Sequence, residues 1–393
     1  MIRAAADTFN ISSDEIIRNV SKLYMTEPRS FALMSLVHSQ GLDYQIDGSQ
    51  VNVTGSPVGV IMVDNPKFEM QLDSVNEIKT STTAAYLSTD VTIVVADGAV
   101  VGKYDLIYVP RTGEIMRASS VSSNTLTVTR GEAGTTAAAL LASDELVMLN
   151  SSYAENAVSG DIRFKNTTFD YNYTQIAREP YGNSRTEQGT KKYGIDNSYD
   201  RKKKMALIDM LRKNNGNMWV GGRSIDSTNK FRTTGGVINF IDSANVYDVN
   251  NNLTQAEFEY WMRKYALAYN NTKKTLFASS KLIEKINSWA SDKVVYTSNA
   301  AVNKFGLSVK TYTTAWGDLD IVYESYFDEV SSLNGYGVCL DLNLIKFVYF
   351  VNGVLRAFDD IQENDRDGRK GEWLMEFGVQ VNVPKAHAIL KGV

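Results

Sequence analysis

The sequence has one cysteine and two histidines, and these shortages remove whole classes of chemistry. Cys339 can form no disulfide within the chain, and its neighbours in GYGVCLDLNLIKF are apolar, which predicts a buried small hydrophobe and not a nucleophile. His38 and His387 stand far apart in apolar surroundings and leave no material for a histidine-dependent triad or a zinc site. Catalysis by carboxylates alone would need a pair set apart from ordinary surface charge, and no spacing distinguishes one. The expectation is a chain with no catalytic residues, no metal and no cofactor. No run approaches the roughly 18 apolar residues that span a bilayer. The opening MIRAAADTFNISSDEII lacks the apolar core of a leader, so the expectation is a soluble chain without an exporting signal and without a membrane partner. The triplets at Asn52, Asn166 and Asn172 then read as chance spellings and not as glycan sites. An excess of positive charge is also missing. With 41 Lys and Arg against 45 Asp and Glu the formal charge is −4, so attraction to phosphate backbones or anionic lipid would have to come from a local patch.

What is present suits a folded protein: 393 residues with 43% hydrophobic and 22% charged content allow two or three domains with real cores. Residues 12–40 read as helical, with Ser12 or Ser13 as cap and Ile16, Ile17, Val20 and Leu23 at helical spacing. From Tyr44 to Phe68 the pattern becomes extended and rich in turns. Between Val91 and Leu149 it is almost purely β, and TLTVT alternates wet threonines with apolar Leu126 and Val128. This predicts a small β module inserted into a larger fold.

A charged helix is predicted from about Glu187 to Asn215, with Met205, Ile208 and Leu211 or Leu207 as its apolar stripe and Asn214-Asn215-Gly216 as its stop. Thr254 and Glu257 spell a capping box before Phe258, Trp261, Met262, Tyr265 and Tyr269, and a second helix carries Leu282, Ile283, Ile286 and Trp289. The last fifty residues are strand-like.

Three stretches invite a binding reading. Gly131-Glu-Ala-Gly134-Thr-Thr136 resembles a phosphate cradle, but it has no lysine, carries Glu132 and lies within a β pattern, so a turn is the better reading. DDIQENDRDGRKGE suggests calcium; aligned on Gly368, an EF-hand loop would start at Glu363 and end at Leu374, without its final carboxylate, so a solvated loop is expected. The cluster Arg201, Lys202, Lys203 and Lys204 is either a solvated helix face or an anchor for an acidic partner or nucleic acid, and interleaved aromatics for base stacking are absent.

The order of parts resembles the major capsid proteins of tailed bacteriophages with the Hong Kong 97-type fold. It is most similar to the family whose inserted β module reads approximately vGDxIxxxxTGExMxV followed by NTLTVTRGxxGTT. The matching residues are Gly102-Lys-Tyr-Asp105, Thr112-Gly113-Glu114-Ile-Met116 and Asn124 through Thr136. Tyr171-Asn-Tyr-Thr-Gln-Ile176, Arg232-Thr-Thr-Gly-Gly236, WGDLDIVYESYF and EWLMEFGVQVNVPKAHAIL match later markers. GKYD breaks the usual Gly-Asp pair, and AREPYGNS departs from the family's wording.

The resemblance implies an α+β fold with an N-terminal arm over 1–40, an extended loop and first peripheral strands over 41–95, and an inserted β domain over 96–149. The loop's return and a spine helix would follow over 150–239, an axial domain over 240–338, and C-terminal peripheral strands over 339–393. It implies a shell protein that forms pentamers and hexamers of an icosahedral head around double-stranded DNA. Its partners would be further copies of itself, a scaffolding protein, a portal, a decoration protein and weakly held DNA, with assembly in the host bacterial cytoplasm and Arg201 to Lys204 as a scaffold or DNA contact. The 21 tyrosines suit wet interfaces, where a ring buries apolar area and its hydroxyl stays solvated. The alternative is a tail or fibre protein whose β module binds a receptor or glycan.

Overall fold

The computed structural model describes residues 59–72, 78–156, 168–190, 197–228, 230–269, 273–291 and 311–393. The predicted helix over 12–40, the extended stretch up to residue 58, His38, Asn52 and Asn166 lie outside them. The chain divides into two compact units, one formed by the described residues up to Leu72 with Phe169–Val393 and the other lying within Asp73–Thr168.

The larger unit is built on two sheets. The first centres on Gly368–Val381, which pairs antiparallel with Gln175–Ser184, with Ile345–Phe350 and with Arg356–Phe358. Gly59–Val63 adds a parallel strand beyond Ile345–Phe350. Phe347 and Phe377 stack across this sheet with centroids 5.7 Å apart. The second sheet runs in the order Val246–Asp248, Ala388–Lys391, Gly337–Leu340, Lys273–Ala278, Gly317–Tyr323, Thr311–Thr314. The block predicted to end at 338 therefore extends to Leu340, and the last strand of the chain belongs to it and not to the first sheet.

The long helix spans Ser198–Val220. Its start is set by Asn197, whose side-chain oxygen accepts from the N–H groups of Tyr199 and Asp200 at 3.0 and 3.3 Å. A separate short helix, Arg185–Gly189, occupies the start of the predicted one. Asn214-Asn215-Gly216 is no stop. Gly216 lies against the Tyr326 ring, where a Cβ would stand 2.7 Å from a ring carbon. A mid-helix glycine costs about 1 kcal/mol, and here the close packing it permits lets the helix run on to bury Trp219 against Phe277 and Phe327 at 5.2 and 4.8 Å. The buried stripe is Tyr199, Ala206, Met210, Met218 and Trp219. Met205, predicted in the stripe, is 49% exposed.

In the second sheet's helices Thr254 accepts from the Glu257 N–H at 3.2 Å, as the capping box requires. The Glu257 carboxylate accepts instead from the Tyr247 hydroxyl at 3.0 Å. Gln255–Trp261 then widens into a π-helical turn over Met262–Ala266, and Ser280–Ser291 forms the second predicted helix, with Leu282 and Ile286 buried. Cys339 is buried in the core between these elements, and burial pushes its thiol up to about 12. Asn172 is also buried: its amide donates to Thr234, Gly235 and Val379 at 2.8 to 3.2 Å, so no glycan reaches it.

The smaller unit is one six-stranded sheet in the order Lys79–Ser81, Glu145–Ser151, Asp105–Val109, Glu114–Ser122, Thr125–Thr129, Thr92–Val94. Its two edges meet through the bridge Thr82 to Val95 and the bonds Thr83 N–H to Val94 O (3.0 Å) and Ala96 N–H to Ser81 O (2.9 Å). The sheet is thus closed into a barrel with no free edge to pair with another chain. Alternation fills the interior: Ile93, Ile107, Val109, Met116, Ala118, Leu126 and Leu146 are wholly buried. Tyr104, in the GKYD that departs from the Gly-Asp pattern, takes φ 68°, a conformation more comfortable for glycine. The module predicted over 96–149 starts too late, because closure needs Lys79–Ser81 and Thr92–Val94.

A chain of residues 73–168 is expected to fold alone, giving a β-type circular dichroism spectrum and a cooperative melt. A chain of residues 96–149, stripped of both closing strands, is expected to give neither, and an equally sharp melt from it would restore the boundary at 96.

Candidate functional site

The predicted basic cluster lies on the first turns of the long helix, and the fold divides it. Lys203 points at the first sheet, where its ammonium donates to Asp359 Oδ2 at 2.7 Å. The other oxygen of Asp359 accepts from the hydroxyls of Tyr181 and Tyr199 at 2.9 and 2.8 Å. The two rings meet edge to face at 5.4 Å, the Trp373 indole N–H donates to the Lys203 carbonyl at 2.8 Å, and Arg369 covers Tyr199 at 4.3 Å. Arg369 is itself paired with Asp360 at 2.6 Å. The Lys203 ammonium, with help from the two hydroxyls, holds the Asp359 carboxyl at about 2. Burial first, and then the carboxylate, raise both phenols, Tyr199 to about 12. Asp359 stays charged and the two phenols stay protonated through the physiological range, so this is a structural clamp and not an acid–base pair.

Lys202 is also engaged, donating to Glu187 at 2.7 Å and to the Gly182 carbonyl at 3.2 Å. Arg201 and Lys204 lie on the opposite side of the helix, and neither has a carboxylate partner among the described residues. The four-residue cluster expected from sequence is therefore divided, with Lys202 and Lys203 engaged within the fold.

The phosphate-like loop is occupied by the chain's own anion. Glu114 is wholly buried, and its two oxygens accept from the Arg130 guanidinium at 2.7 and 2.8 Å and from the N–H groups of Gly131 and Ala138 at 3.2 and 3.1 Å. Arg130 spends its remaining donors on the carbonyls of Leu87, Asp90 and Ala138. Burial opposes the charge on Glu114, but the guanidinium and the two amides outweigh it and leave the group below its usual range. Sequence reading missed Glu114. The signal available was the TGE of the strand start together with the TRG that precedes the loop.

The acidic stretch after Phe358 holds no cation cage. Asp359 and Asp360 are committed to Lys203 and Arg369, and no group of three or more His, Cys, Asp or Glu side chains is placed to hold a metal among the described residues.

The model of the SU10 major capsid protein family matches residues 44–393. The chain belongs to the SU10 major capsid protein family. It is thus a capsid-forming structural protein, a part of the virion shell that associates with further copies of itself. No curated protein matches it. Among solved structures, the capsid protein is similar to the capsid of an empty GTA particle at 10% identity, over 88% of this chain and 94% of that one, with a TM-score of 0.42. It is similar to a virus-like particle from Pyrococcus furiosus at 8% identity, over 92% and 97%, with a TM-score of 0.40. The capsid of Myoviridae phage XM1 is 12% identical over 62% and 81%, with a TM-score of 0.41.

Asp359→Asn is expected to cost about 1 kcal/mol, since the carboxylate is a third exposed and screened. Because its folded pKa lies below the unfolded one, the contribution is complete above pH about 4 and lost as pH falls through about 2. The check is the difference between wild-type and variant melting temperatures across that window. Glu114→Gln leaves the 6% exposed Arg130 without its counter-charge, so a larger loss of about 3 to 5 kcal/mol is expected. Hydrogen exchange at the barrel amides in the full chain should read it, and protection equal to wild type would show the pair to be dispensable.

Proposed function

We propose that this capsid protein builds the pentamers and hexamers of an icosahedral head that encloses double-stranded DNA, on the Hong Kong 97-type plan. The observation that carries the reading is the family match, which spans 350 of the 393 residues as counted from 44 to 393. The first sheet with the long helix corresponds to a peripheral domain and the second sheet to an axial domain. The N-terminal arm expected over 1–40 and the extended loop expected within 41–95 clasp neighbouring subunits. Apolar side chains left in solvent fit such a role: Phe231 is 72% exposed, and Ile78 and Leu87 are 66% and 67% exposed. Each contact need be only modest, because every subunit makes several and closure multiplies them.

The role asks for no reaction. A chain of charge −4 holds packaged DNA weakly. A scaffolding protein, a portal and a decoration protein complete the assembly, which takes place in the host bacterial cytoplasm. Electron microscopy of the purified chain, alone and with a co-expressed scaffold, is expected to show closed shells or hexamer sheets. Isolated trimers in both preparations would overturn the reading.

A further inference from the structure

The stretch Asp365-Arg-Asp-Gly-Arg-Lys370 lacks the spacing of a calcium loop, yet it carries three cations that the shell role does not use. Residues 366–370 and the strand end Pro180–Ser184 wall a cavity of about 510 Å³. Its room has an origin in the sequence. Where Gly368–Val381 pairs with Gln175–Ser184, Gly182 faces Lys370 and Gly368 faces Ser184, so two of the wall positions supply no side chain to fill the space. Neither position admits one: a Cβ at Gly182 would stand 2.8 Å from the Arg369 carbonyl oxygen, and one at Gly368 2.7 Å from that of Asn183. Of the charges lining the cavity, Arg369 is neutralised by Asp360 at 2.6 Å. Arg366 and Lys370 have no carboxylate partner among the described residues, and Asp367 has no cationic one. Asn183, in the same wall, is 6% exposed, and both polar atoms of its amide lack a partner among the described residues. A buried amide left this way is costly until something bonds to it.

We infer that this cavity is a binding site for a small phosphate monoester that carries hydroxyl groups, a sugar phosphate or a mononucleotide. The inference stands apart from the shell-forming reading. Arg366 and Lys370 supply a planar fork of donors and a point charge, the pair that suits a phosphate dianion. The Asp367 carboxylate accepts from a ligand hydroxyl and repels a second anionic group, which favours a monoester over pyrophosphate and longer chains. The Asn183 amide offers one further donor and acceptor at the wall. A volume of about 510 Å³ is far more than a lone phosphate ion fills and lies within the range of small-molecule sites. It admits a single nucleotide and not a duplex, whose backbone would in addition meet Asp367.

The test is calorimetric titration of the purified full chain with ribose 5-phosphate, adenosine 5′-monophosphate and inorganic phosphate. Both monoesters are expected to saturate a single site per chain, and inorganic phosphate to bind at least about ten-fold more weakly. Tighter binding of the nucleotide assigns the remaining space to a base, and equal binding of the two monoesters assigns the site to a sugar phosphate. Arg366→Ala with Lys370→Ala is expected to weaken ribose 5-phosphate by more than about ten-fold. Asp367→Asn is expected to weaken ribose 5-phosphate and to leave inorganic phosphate unchanged or tighter, which a merely structural role would not do. Circular dichroism confirms that each variant is folded. No saturable binding by either monoester, or binding that the double variant leaves intact, overturns the site. Inorganic phosphate binding as tightly as the monoesters makes it a site for an adventitious ion only and overturns it too. A second readout needs no variant: in the wild-type chain, saturating ribose 5-phosphate is expected to slow acylation of Lys370, read by mass spectrometry, and not that of the exposed Lys281. Equal acylation of Lys370 with and without the ligand would refute the site, whereas particle assembly, scored separately, bears on the capsid reading alone.

Discussion

A single buried imidazole holds two of the places where the chain passes between the sheets of the larger unit. Residues 341–344 lead from Gly337–Leu340 to Ile345–Phe350, and residues 382–387 lead back from Gly368–Val381 to Ala388–Lys391. His387 touches both passages: its Nδ1 accepts from the Asp341 N–H, and its Nε2 lies against the Asn382 carbonyl, each at 3.3 Å. One ring nitrogen must accept while the other donates, so the ring has to be neutral. Burial first, and the nearby Lys274 ammonium second, bring its pKa down to about 3, so it stays neutral through the range in which histidine ordinarily titrates. Lys274 holds the same turn by donating to the carbonyls of Ala386 and Tyr269, and Asn245 donates to those of Lys385 and His387. These bonds are numerous enough to keep Val383 in a left-handed conformation, φ 49°, that a β-branched residue otherwise avoids.

The smaller unit depends on the same kind of constraint. Glu114 and Arg130 are both removed from water, and each is costly there without the other. Together they consume the backbone groups of a loop that has no regular pairing of its own, including two amides that in another protein would face a phosphate. The likeness to a nucleotide cradle has a physical basis: amides converge on an anion in both cases. Here the anion is covalently part of the barrel, so the loop is closed to a ligand by its own carboxylate.

Local patterns were legible where a single element decides its own conformation. Alternation marked the barrel strands, and Thr254 with Phe258 and Trp261 marked the helix start, since period and cap are properties of adjacent residues. The parts that sequence reading misplaced are those settled by distant contacts. The barrel's first strands are short and weakly patterned, and they belong to it only because Thr82 meets Val95. The long helix looked finished at Gly216 because the ring that requires a glycine there, Tyr326, lies more than a hundred residues on. Met205 looked buried because helical spacing fixes which residues share a face but not which face turns inward. The basic cluster was visible as charge. Its division into Lys202 and Lys203, which serve the fold, and Arg201 and Lys204, which remain outside it, depends on Glu187 and Asp359, one upstream of the helix and one 156 residues from Lys203.

That division bears on how a shell protein keeps folding and assembly apart. Charges needed for the subunit are paired at short range with partly buried geometry, as at Lys203 and Asp359, and are removed from competition with neighbouring copies. Exposed charges outside such pairs, as at Lys204, are screened, and each would contribute at most about 1 kcal/mol to a contact. Weak contacts of this kind break and re-form during assembly, which allows a misplaced subunit to leave. Their number makes the closed shell stable. The long helix gives such charges a fixed spacing, because Asn197 caps one end and Trp219 is packed into the core at the other. A surface of weak, rigidly held charges can therefore select the orientation of a neighbour without binding it too tightly to correct.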